Sequence, residues 1–408
     1  MSWKLPTERT HRLAGCAGPL TFVGGAGDFN AAGLIRNSGD FNAQLAGALE
    51  NIELALAAES CSLKDIVRLK AFYRDGIVDE WSLRASLSNA IGGDPSPVMT
   101  LNPVPYQPWE GQEIQLQAIA IRDWRLHGDT RIVTRSVPQV FAQKFNTPLI
   151  TDGLRVNEFY AIGGQTAAGT DGETIEAKGG QAQTHAVMSR LEVIQAKLGA
   201  TFQDAIKKEG YYFGTTMDDW AAMARIRASY FHEPAAVATV VPCHALHPEG
   251  ALTKVELLGM RELWNGFDKY IPREDRWPKR VWDWPIPVPY RQGIRLRNMI
   301  WTGGQVPWES NANSGRAMHP GNVIAQTHFV MSYIEDILRA FDATTSDLRL
   351  LVCYFASDGT VGQTHRLLEA LDDCVAGPLP PLTIVPQPYL HADNSNVEVW
   401  GVADATRG

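Results

Sequence analysis

The 408-residue sequence lacks the features that mark several specialised classes of protein. No apolar run approaches the roughly 18 to 20 residues that span a bilayer, so we expect no membrane segment. No long run of lysine and arginine occurs and the net charge is −8, which argues against nucleic acid and anionic membranes as partners. The polar N-terminus lacks the apolar core of a signal peptide, and the five cysteines form no CxxC pair. We therefore expect a cytoplasmic protein in a reducing environment.

Motifs that bind cofactors are missing as well. The glycine pairs lack the GxGxxG spacing of a phosphate-binding loop. No two histidines stand at metal-ligand spacing together with a carboxylate. We therefore expect neither a metal nor an organic cofactor. With 45% hydrophobic and 20% charged residues, the chain has ample material for ordinary hydrophobic cores.

What the sequence does contain is one pattern that occurs three times. A pair of glycines follows an apolar run at Gly24-Gly25, Gly163-Gly164 and Gly303-Gly304. A threonine precedes a proline by three residues at Thr100, Thr239 and Thr383. Equivalent points lie 139 residues apart between units one and two, and 140 to 144 apart between units two and three. Repeats of that length are whole domains, so the chain is predicted to imitate a trimer, with its chemistry at the seams between units.

Apolar periodicity predicts the order strand, helix, strand, helix, strand, strand within each unit. In unit two, one apolar stripe marks the first helix at i, i+4, i+7 and i+11, formed by Val187, Leu191, Ile194 and Leu198. The predicted fold class is α+β, with a mixed sheet in each unit and two helices on one face of it. Because the other face of each sheet also needs a cover, the three sheets are predicted to pack around a pseudo-threefold axis.

The repeats place three domains at residues 1–125, 148–262 and 284–408, with linkers at 123–147 and 262–285. The second linker is rich in tryptophan, with Trp264, Trp277, Trp282 and Trp284. Two interpretations of this linker stay open: a strap packed across the units, or an aromatic wall over a bound ligand. The chain is predicted to be a monomer or a dimer of the whole chain.

Three segments of the sequence resemble parts of the RidA/YjgF imine deaminase family. They are residues 289–293 (PYRQG), residues 298–307 (NMIWTGGQVP) and residues 65–75 (DIVRLKAFYRD). The resemblance covers about five-sixths of the chain, at roughly residues 11–122, 148–261 and 284–404. It implies a chorismate-mutase-like α+β fold and three divergent copies fused into one chain, with a pocket at each interface. It also implies hydrolysis of reactive enamines and imines to 2-oxo acids and ammonia without a cofactor.

The sequence departs from that family at its two signature positions. The family's substrate-binding arginine, just before the threonine, is replaced by Met99, Ala238 and Leu382. The family's glutamate on the last strand is replaced by Gln117, Leu258 and Trp400. Two residues earlier, on the same face of that strand, stand Gln115, Glu256 and Glu398. The family's chemistry therefore does not transfer residue by residue.

Other residues are candidates for the vacant roles. Alignment on the glycine pairs puts Tyr290 at the family's pocket tyrosine, followed by Arg291, and Arg12 stands at the matching place in unit one. These arginines would bind a substrate carboxylate; the alternative is that they are exposed beside the first strand. His391, eight residues after Thr383, is a candidate general base, and the alternative is a solvated loop histidine.

One cleft between unit three and a neighbouring unit is predicted to hold Tyr290, Arg291, Thr383, Glu398 and His391. In this hypothesis Arg291 binds the carboxylate, Glu398 or His391 activates water, and Tyr290 helps to orient the C=N group. Further candidate substrate-binding residues at the seams are Arg12, Thr100, Thr239 and Glu256.

The predicted function is that of a cofactor-independent hydrolase of the deaminase type, acting on a small anionic imine or enamine at the seams. Two alternatives stay open. One is a different hydrolase on a similar fused scaffold, such as a chorismatase, which acts on an anionic enol ether. The other is a ligand-binding protein without catalysis, which the loss of the family's arginine from all three units favours.

Overall fold

The computed structural model describes residues 3–127, 131–145, 150–214, 216–264 and 267–405. The side chain of Trp264 lies outside the described part. The described chain forms three units of the same topology, each an open sheet with two long helices. None of the helices in these ranges is long and apolar enough to cross a membrane.

The elements follow one order in all three units. Unit one contains β1 (Ala14–Ala17), β2 (Leu20–Ala26), α1 (Phe41–Ala58), β3 (Ile66–Arg74), α2 (Glu80–Ile91), β4 (Val98–Val104) and β5 (Ile114–Ala120). The first linker contains α3 (Trp124–His127), β6 (Arg131–Ser136) and α4 (Gln139–Lys144). Unit two contains β7 (Ile150–Val156), β8 (Phe159–Gln165), α5 (Gly179–Lys197), β9 (Ala205–Tyr212), α6 (Met217–Ala228), β10 (Val237–Pro242) and β11 (Thr253–Met260).

The second linker and unit three complete the described chain. The linker contains three short strands, β12 (Glu262–Trp264), β13 (Phe267–Lys269) and β14 (Glu274–Arg276). Unit three contains β15 (Gly293–Leu296), β16 (Met299–Thr302), α7 (Val323–Arg339), β17 (Leu348–Ala356), α8 (Val361–Asp373), β18 (Leu382–Gln387) and β19 (Val397–Asp404).

The three sheets share one strand order. It runs β1-β2-β5-β3-β4 in unit one, β6-β7-β8-β11-β9-β10 in unit two and β14-β15-β16-β19-β17-β18 in unit three. The strands joined through the second helix are parallel, because a helical crossover returns the chain in the same direction. The remaining pairs in these sheets are antiparallel. The prediction of an α+β fold with mixed sheets is confirmed.

The structure adds strands that the periodicity does not predict. Each unit begins with a hairpin, such as β1 with β2, where the sequence indicates a single strand. The four residues of β1 are small and carry no apolar alternation, so the pattern gives no signal there. The predicted linkers also join the sheets: β6 pairs with β7, and β14 pairs with β15. These added strands cover edges that would otherwise be open.

The faces of the sheets opposite the helices pack against one another. One hydrophobic cluster takes residues from all three units. Within it, Phe22 meets Trp301 edge to face with ring centroids 5.9 Å apart, and Phe72 meets Tyr354 at 6.2 Å. The hydroxyls of Tyr211 and Tyr354 lie 3.0 Å apart. This shared core supplies the cover that each sheet needs.

The repeated glycine pairs allow the units to approach closely. A Cβ atom on Gly24 would lie 2.3 Å from the backbone nitrogen of Leu382, and one on Gly163 would lie 2.7 Å from the carbonyl oxygen of Met99. In unit three, the backbone N–H of Gly304 donates to the carbonyl of Ala238 over 2.8 Å. Each threonine strand thus contacts the glycine pair of the next unit, in cyclic order. Only a residue without a side chain leaves room for such contacts.

Candidate functional site

A cavity lies at the seam between units two and three, and we call it the Trp cavity. Unit two contributes β9, β10 and α6, unit three contributes the chain around β16 and β19, and the second linker closes one side. The residues that line it include Lys208, Tyr212, Trp220, Arg227, Ala238, Trp282, Trp284, Tyr290, Gly304, Trp308, His391 and Glu398. Ala238, which directly precedes Thr239 on β10, is one of these lining residues.

A glutamate and a histidine of unit three form a hydrogen-bonded pair in this cavity. Glu398 Oε2 lies 2.6 Å from His391 Nε2, and Glu398 is only 4% exposed. The strand alternates, so Val397 and Val399 face the helix-covered core while Glu398 faces the seam. A turn brings the histidine back: the His391 N–H donates to the Ser395 carbonyl over 3.1 Å. Such a pair can move a proton to or from a ligand.

Arg227 on α6 is fully buried and points at the same cavity. Its Nε, Nη1 and Nη2 atoms have no hydrogen-bond partner within the described part of the chain. Burial lowers the pKa of its guanidinium. A buried guanidinium without partners destabilises the fold unless an anion binds to it. A carboxylate matches the planar arrangement of its N–H donors. Arg227 is therefore the strongest candidate for binding a carboxylate in this cavity.

The helix that carries Arg227 is fixed at its start by a capping box. Thr216 Oγ1 accepts from the backbone N–H of Asp219, and the Asp219 carboxylate accepts from the N–H of Thr216, both at 3.1 Å. From there Trp220, Ala224 and Arg227 follow at i, i+4 and i+7, which puts them on one face of α6. That face lines the cavity.

Lys208 on β9 is a second basic residue of the Trp cavity. It is 1% exposed, and its Nζ lies 4.2 Å from the centroid of the Tyr290 ring. Burial, with the nearby Arg227 and Lys207, lowers the pKa of Lys208 well below its usual range. The Tyr290 hydroxyl is also buried without a hydrogen-bond partner among the described residues. One wall of the cavity thus presents several polar groups that a ligand could satisfy.

Four tryptophans form the remaining walls. Trp282 lies 4.7 Å from Trp284 and 4.8 Å from Trp308, edge to face in both cases, and Trp220 stacks on Trp284 at 6.2 Å. Trp282 is held by its Nε1–H, which donates to Gln305 Oε1 over 3.1 Å. The second linker therefore forms an aromatic wall over the cavity and also packs across units two and three. The packing agrees with the strap interpretation, and an aromatic wall over a bound ligand stays a prediction.

The space between these walls is narrow. The cavity volume is only about 30 Å³, room for little more than ordered water. Trp284 and Val288 also line an open cleft on the outer side of the linker. A ligand of several heavy atoms therefore requires that the segment from Trp284 to Val288 move outward when the ligand enters.

Three of the five residues predicted to share a cleft do so: Tyr290, His391 and Glu398 line the Trp cavity. Arg291 does not line it. Its Nε lies 3.3 Å from Asp275 Oδ2, and its Nη1 lies 3.8 Å from Glu233 Oε1. The prediction that Arg291 joins the cleft is wrong in position, because the residue after Tyr290 points away from the cavity and meets acidic residues there.

Thr383 is also misplaced by the sequence prediction. It lies at the seam between units three and one, where its Oγ1 accepts from Gln117 Nε2 over 3.0 Å. The reason is the cyclic order of the contacts, which sets each threonine strand against the next unit. The threonine at the Trp cavity's own seam is Thr239, whose Oγ1 accepts from Lys207 Nζ over 2.7 Å.

The other candidate residues have partners within the protein. Thr100 Oγ1 donates to Glu256 Oε2 over 2.6 Å, and Arg68 Nη2 lies 2.9 Å from Glu256 Oε1. Lys70 is a further ion-pair partner of Glu256. Arg12, at the seam between units one and three, donates to the carbonyl of Leu348 over 3.3 Å. Glu256 is therefore engaged in an ionic cluster, unlike its counterpart Glu398.

Neither Arg227 nor Lys208 is predicted from the sequence. The available signal for Arg227 is an arginine on the apolar stripe of a helix, in phase with Trp220 and Ala224. For Lys208 it is a lysine inside a strand that is otherwise buried. Within the described ranges, no group of three or more His, Cys, Asp and Glu side chains is placed to hold a metal ion.

Residues 146–259 match the family model described as Endoribonuclease L-PSP, the model of the RidA/YjgF proteins. Unit two belongs to the RidA/YjgF family. Units one and three repeat the strand order of this RidA/YjgF unit, which is consistent with a fusion of three copies. No curated protein matches the sequence.

One solved structure extends the likeness in fold to most of the chain. A chorismatase is similar over 83% of this chain and 93% of its own, with 14% identity and a TM-score of 0.51. RidA from the Antarctic bacterium Psychrobacter sp. PAMC 21119 has 22% identity over 27% of this chain and 86% of its own, with a TM-score of 0.24. A YjgF/YER057c/UK114 family member from Mycobacterium tuberculosis has 22% identity over 32% of this chain and 99% of its own, with a TM-score of 0.26. The chorismatase match covers more of this chain than two units do, so the shared fold includes all three.

Proposed function

We propose that the Trp cavity hydrolyses a small carboxylate whose double bond carries nitrogen, that is, an enamine or an imine. One observation supports this above all. A buried arginine without a hydrogen-bond partner in the described chain shares the cavity with a hydrogen-bonded glutamate–histidine pair. The arginine favours binding of an anionic ligand, and the glutamate–histidine pair can exchange a proton with that ligand. The RidA/YjgF family membership of unit two favours the same class of small-molecule chemistry.

Each residue of the Trp cavity has a role that follows from its position. Arg227 binds the carboxylate through its planar fork, and Lys208 lies on the same side of the cavity. The stacked rings of Trp220 and Trp284 favour a flat, conjugated ligand. The Glu398–His391 pair lies on the unit-three side. In this proposal it acts on the double bond of a ligand whose carboxylate is anchored on unit two.

The reaction proceeds in two stages. The glutamate–histidine pair donates a proton through Glu398 to the β-carbon of the enamine, which becomes an iminium ion. Water then adds to the carbon of the C=N bond, and the glutamate–histidine pair accepts the proton that the water loses. The hydroxyl proton of the resulting carbinolamine passes through the pair to the amino nitrogen, the C–N bond breaks, ammonia leaves, and a 2-oxo acid remains. Substrate and water together account for all atoms of the products, and no electrons are exchanged with another reagent.

An enol ether is the second candidate substrate. The shared three-unit fold with a chorismatase and the tryptophan rings that line the cavity favour a ring-bearing carboxylate. The first step would be the same, since protonation of the β-carbon of an enol ether gives an oxocarbenium ion. Water would then add, and the C–O bond would break to release an alcohol and a 2-oxo acid.

A direct assay of the full chain separates these possibilities. 2-Aminoacrylate generated in the assay, and chorismate, are each incubated with the protein, and ammonia and pyruvate are measured. Faster release of ammonia with pyruvate supports the enamine activity, and pyruvate without ammonia from chorismate supports the second candidate. If both compounds raise the melting temperature of the protein but neither is turned over faster than in buffer, the cavity binds carboxylates without catalysis and the proposed function is wrong.

A further inference from the structure

A second cavity lies at the seam between units one and two, and we call it the basic cavity. Its volume is about 360 Å³, and it opens to solvent between α2, the first linker and α5. Five cationic side chains line it, namely Arg84, Arg135, Arg190, Lys197 and Lys254. The carboxylates in its lining are Glu80 and Asp152. An excess of positive charge in one cavity stands out in a chain whose net charge is −8.

The inner end of the basic cavity holds two buried cations, Arg84 and Lys254, and Lys254 donates to the carbonyl of Leu101. Arg84 is 9% exposed, and its Nε has no hydrogen-bond partner among the described residues. Its nearest carboxylate is Glu80, with Nη2 3.7 Å from Oε1. The other oxygen of Glu80 lies 3.3 Å from Lys254 Nζ, so one carboxylate is the ion-pair partner of two buried cations. Buried charge that is left uncompensated favours the entry of an anion.

The outer end adds further positive charge. Burial raises the pKa of Asp152 above its usual range, while a hydrogen bond from Ser136 and then the charges of Arg84, Arg190 and Lys197 act to lower it. These cations therefore converge on one region of the cavity. The buried Nε2 of His247, on the same wall, likewise has no hydrogen-bond partner in the part of the chain that is described.

The basic cavity occupies the same relative place as the Trp cavity but lacks its proton-transfer pair. Met99 and the Gly163-Gly164 pair line it, as Ala238 and Gly304 line the Trp cavity. The counterpart of Glu398 is Glu256, which is bound by Arg68 and Thr100 and is not part of the lining. An anion in the basic cavity would therefore meet cations but no free glutamate–histidine pair.

We propose that the basic cavity is a non-catalytic binding site for a small dianion. Arg135 pairs with Asp94 outside the lining, so four cations remain opposite two carboxylates. A single phosphate group or a short dicarboxylate has the charge that this excess can accept, and the volume of the cavity admits either. The two share the chemistry of two negative charges on a small, hydrogen-bond-accepting group. The site does not depend on catalysis in the Trp cavity, so it is tested by binding.

Calorimetric titration of the full chain tests the proposal, in a zwitterionic buffer at constant ionic strength. The probes are inorganic phosphate, succinate and acetate. We expect saturable binding of at least one dianion and at least about tenfold weaker binding of acetate. Tighter binding of phosphate than of succinate identifies a phosphate site, and the reverse order identifies a dicarboxylate site.

Substitutions of the lining residues test whether the dianion binds in the basic cavity. Arg84→Met is expected to weaken its binding at least about tenfold, and Lys197→Gln, on an exposed residue of the rim, about threefold or more. Lys178→Gln removes an exposed lysine just before the same helix, outside the cavity, and is expected to leave the affinity unchanged. If Arg84→Met does not fold, the comparison of Lys197→Gln with Lys178→Gln still decides whether the dianion binds in the basic cavity.

Two results would overturn the proposal. The first is the absence of saturable binding for both dianions. The second is binding that Lys197→Gln leaves unchanged but Arg227→Met removes, since the dianion would then occupy the Trp cavity. Loss of turnover in the Trp cavity would not affect either measurement, so failure of the proposed function and failure of this site are distinguishable.

Discussion

His391 Nε2 and Glu398 Oε2 lie 2.6 Å apart on the unit-three side of the Trp cavity. The two residues are joined by a turn in which Asp393 and Asn394 both take left-handed backbone conformations, with φ of 57°. Aspartate and asparagine tolerate that conformation better than most residues. Because the turn and the strand β19 fix both ends of the pair, its geometry is set before a ligand enters. Groups held in place in this way need little rearrangement during proton transfer.

Glu398→Gln tests the role of that pair. Glutamine keeps the size of the side chain and can still hydrogen-bond to His391, but it cannot donate or accept the proton. We expect kcat to fall by roughly 10²- to 10⁴-fold, with little change in the affinity for the substrate. Glu335→Gln, on an exposed i, i+4 pair with Arg339, is the matched control and should not alter kcat. A Glu398→Gln enzyme within threefold of the natural rate would rule out the glutamate as the proton donor.

Arg227→Met is expected to have opposite effects on binding and on stability. Loss of a charge-assisted contact of about 1.5–3 kcal/mol should weaken carboxylate binding roughly ten- to a hundredfold. The same change removes a buried cation without a hydrogen-bond partner in the described chain, so the free protein should be at least as stable as before. Binding is measured by calorimetry and stability by urea denaturation.

Arg225→Met is the control for that variant, since Arg225 lies two residues earlier on α6 and is exposed. It should change neither carboxylate affinity nor stability appreciably. If Arg227→Met binds carboxylates as well as Arg225→Met does, the anchor of the substrate lies elsewhere in the cavity.

Features set by local periodicity could be predicted from the sequence. The predicted stripe of Val187, Leu191, Ile194 and Leu198 lies on the buried face of α5 and its C-terminal cap. Glu398 and His391 could be proposed as site residues because their positions follow from the register of one strand and the length of one loop. The repeat indicates that the units meet at seams, but only the structure shows that the glycine pairs lie there, where a side chain would block the contact.

Features set by packing between units could not be predicted. The direction of the cyclic contacts decides which threonine faces which unit, and nothing in a single repeat encodes that direction; Thr383 was assigned to the wrong seam for this reason. Arg227 reaches the cavity from a helix of unit two, while the pair it faces belongs to unit three. Its proximity to Glu398 and His391 depends on how whole units dock, which residue spacing does not show.

Glu256→Gln is expected to destabilise the fold rather than to affect chemistry in the Trp cavity. Burial alone would raise the pKa of Glu256, but Arg68 and Lys70 hold it at about 2. Removing the charge leaves Glu209 as the carboxylate that these two buried cations share. Breaking a buried ion pair by removing one partner costs about 3–5 kcal/mol, so the urea midpoint should fall clearly. A midpoint equal to that of the Glu335→Gln control would show that the cluster contributes little.

His11 should make stability depend on pH in a defined window. Its Nε2 accepts from the backbone N–H of Leu5 over 3.3 Å, its ring lies 6.0 Å from that of Trp3, and burial followed by the charge of Lys4 lowers its pKa from 6.5 to about 4. Between pH 6.5 and 4 the unfolded chain binds a proton that the folded chain does not. The free energy of unfolding therefore rises with pH across this window, and acidification lowers it by up to about 3 kcal/mol.

His11→Gln tests that expectation, because glutamine keeps an acceptor for Leu5 but does not titrate near neutral pH. Urea denaturation at pH 7, 6, 5 and 4 should show a smaller loss of stability on acidification for His11→Gln than for the natural protein. His232→Gln, which removes an exposed histidine, is the control and should keep the natural pH dependence. Carboxylates such as Glu256, whose pKa is about 2, protonate below this window when the protein is folded, and they add the same slope to all three proteins. If His11→Gln and His232→Gln lose stability equally between pH 6.5 and 4, the buried histidine is not the source of the effect.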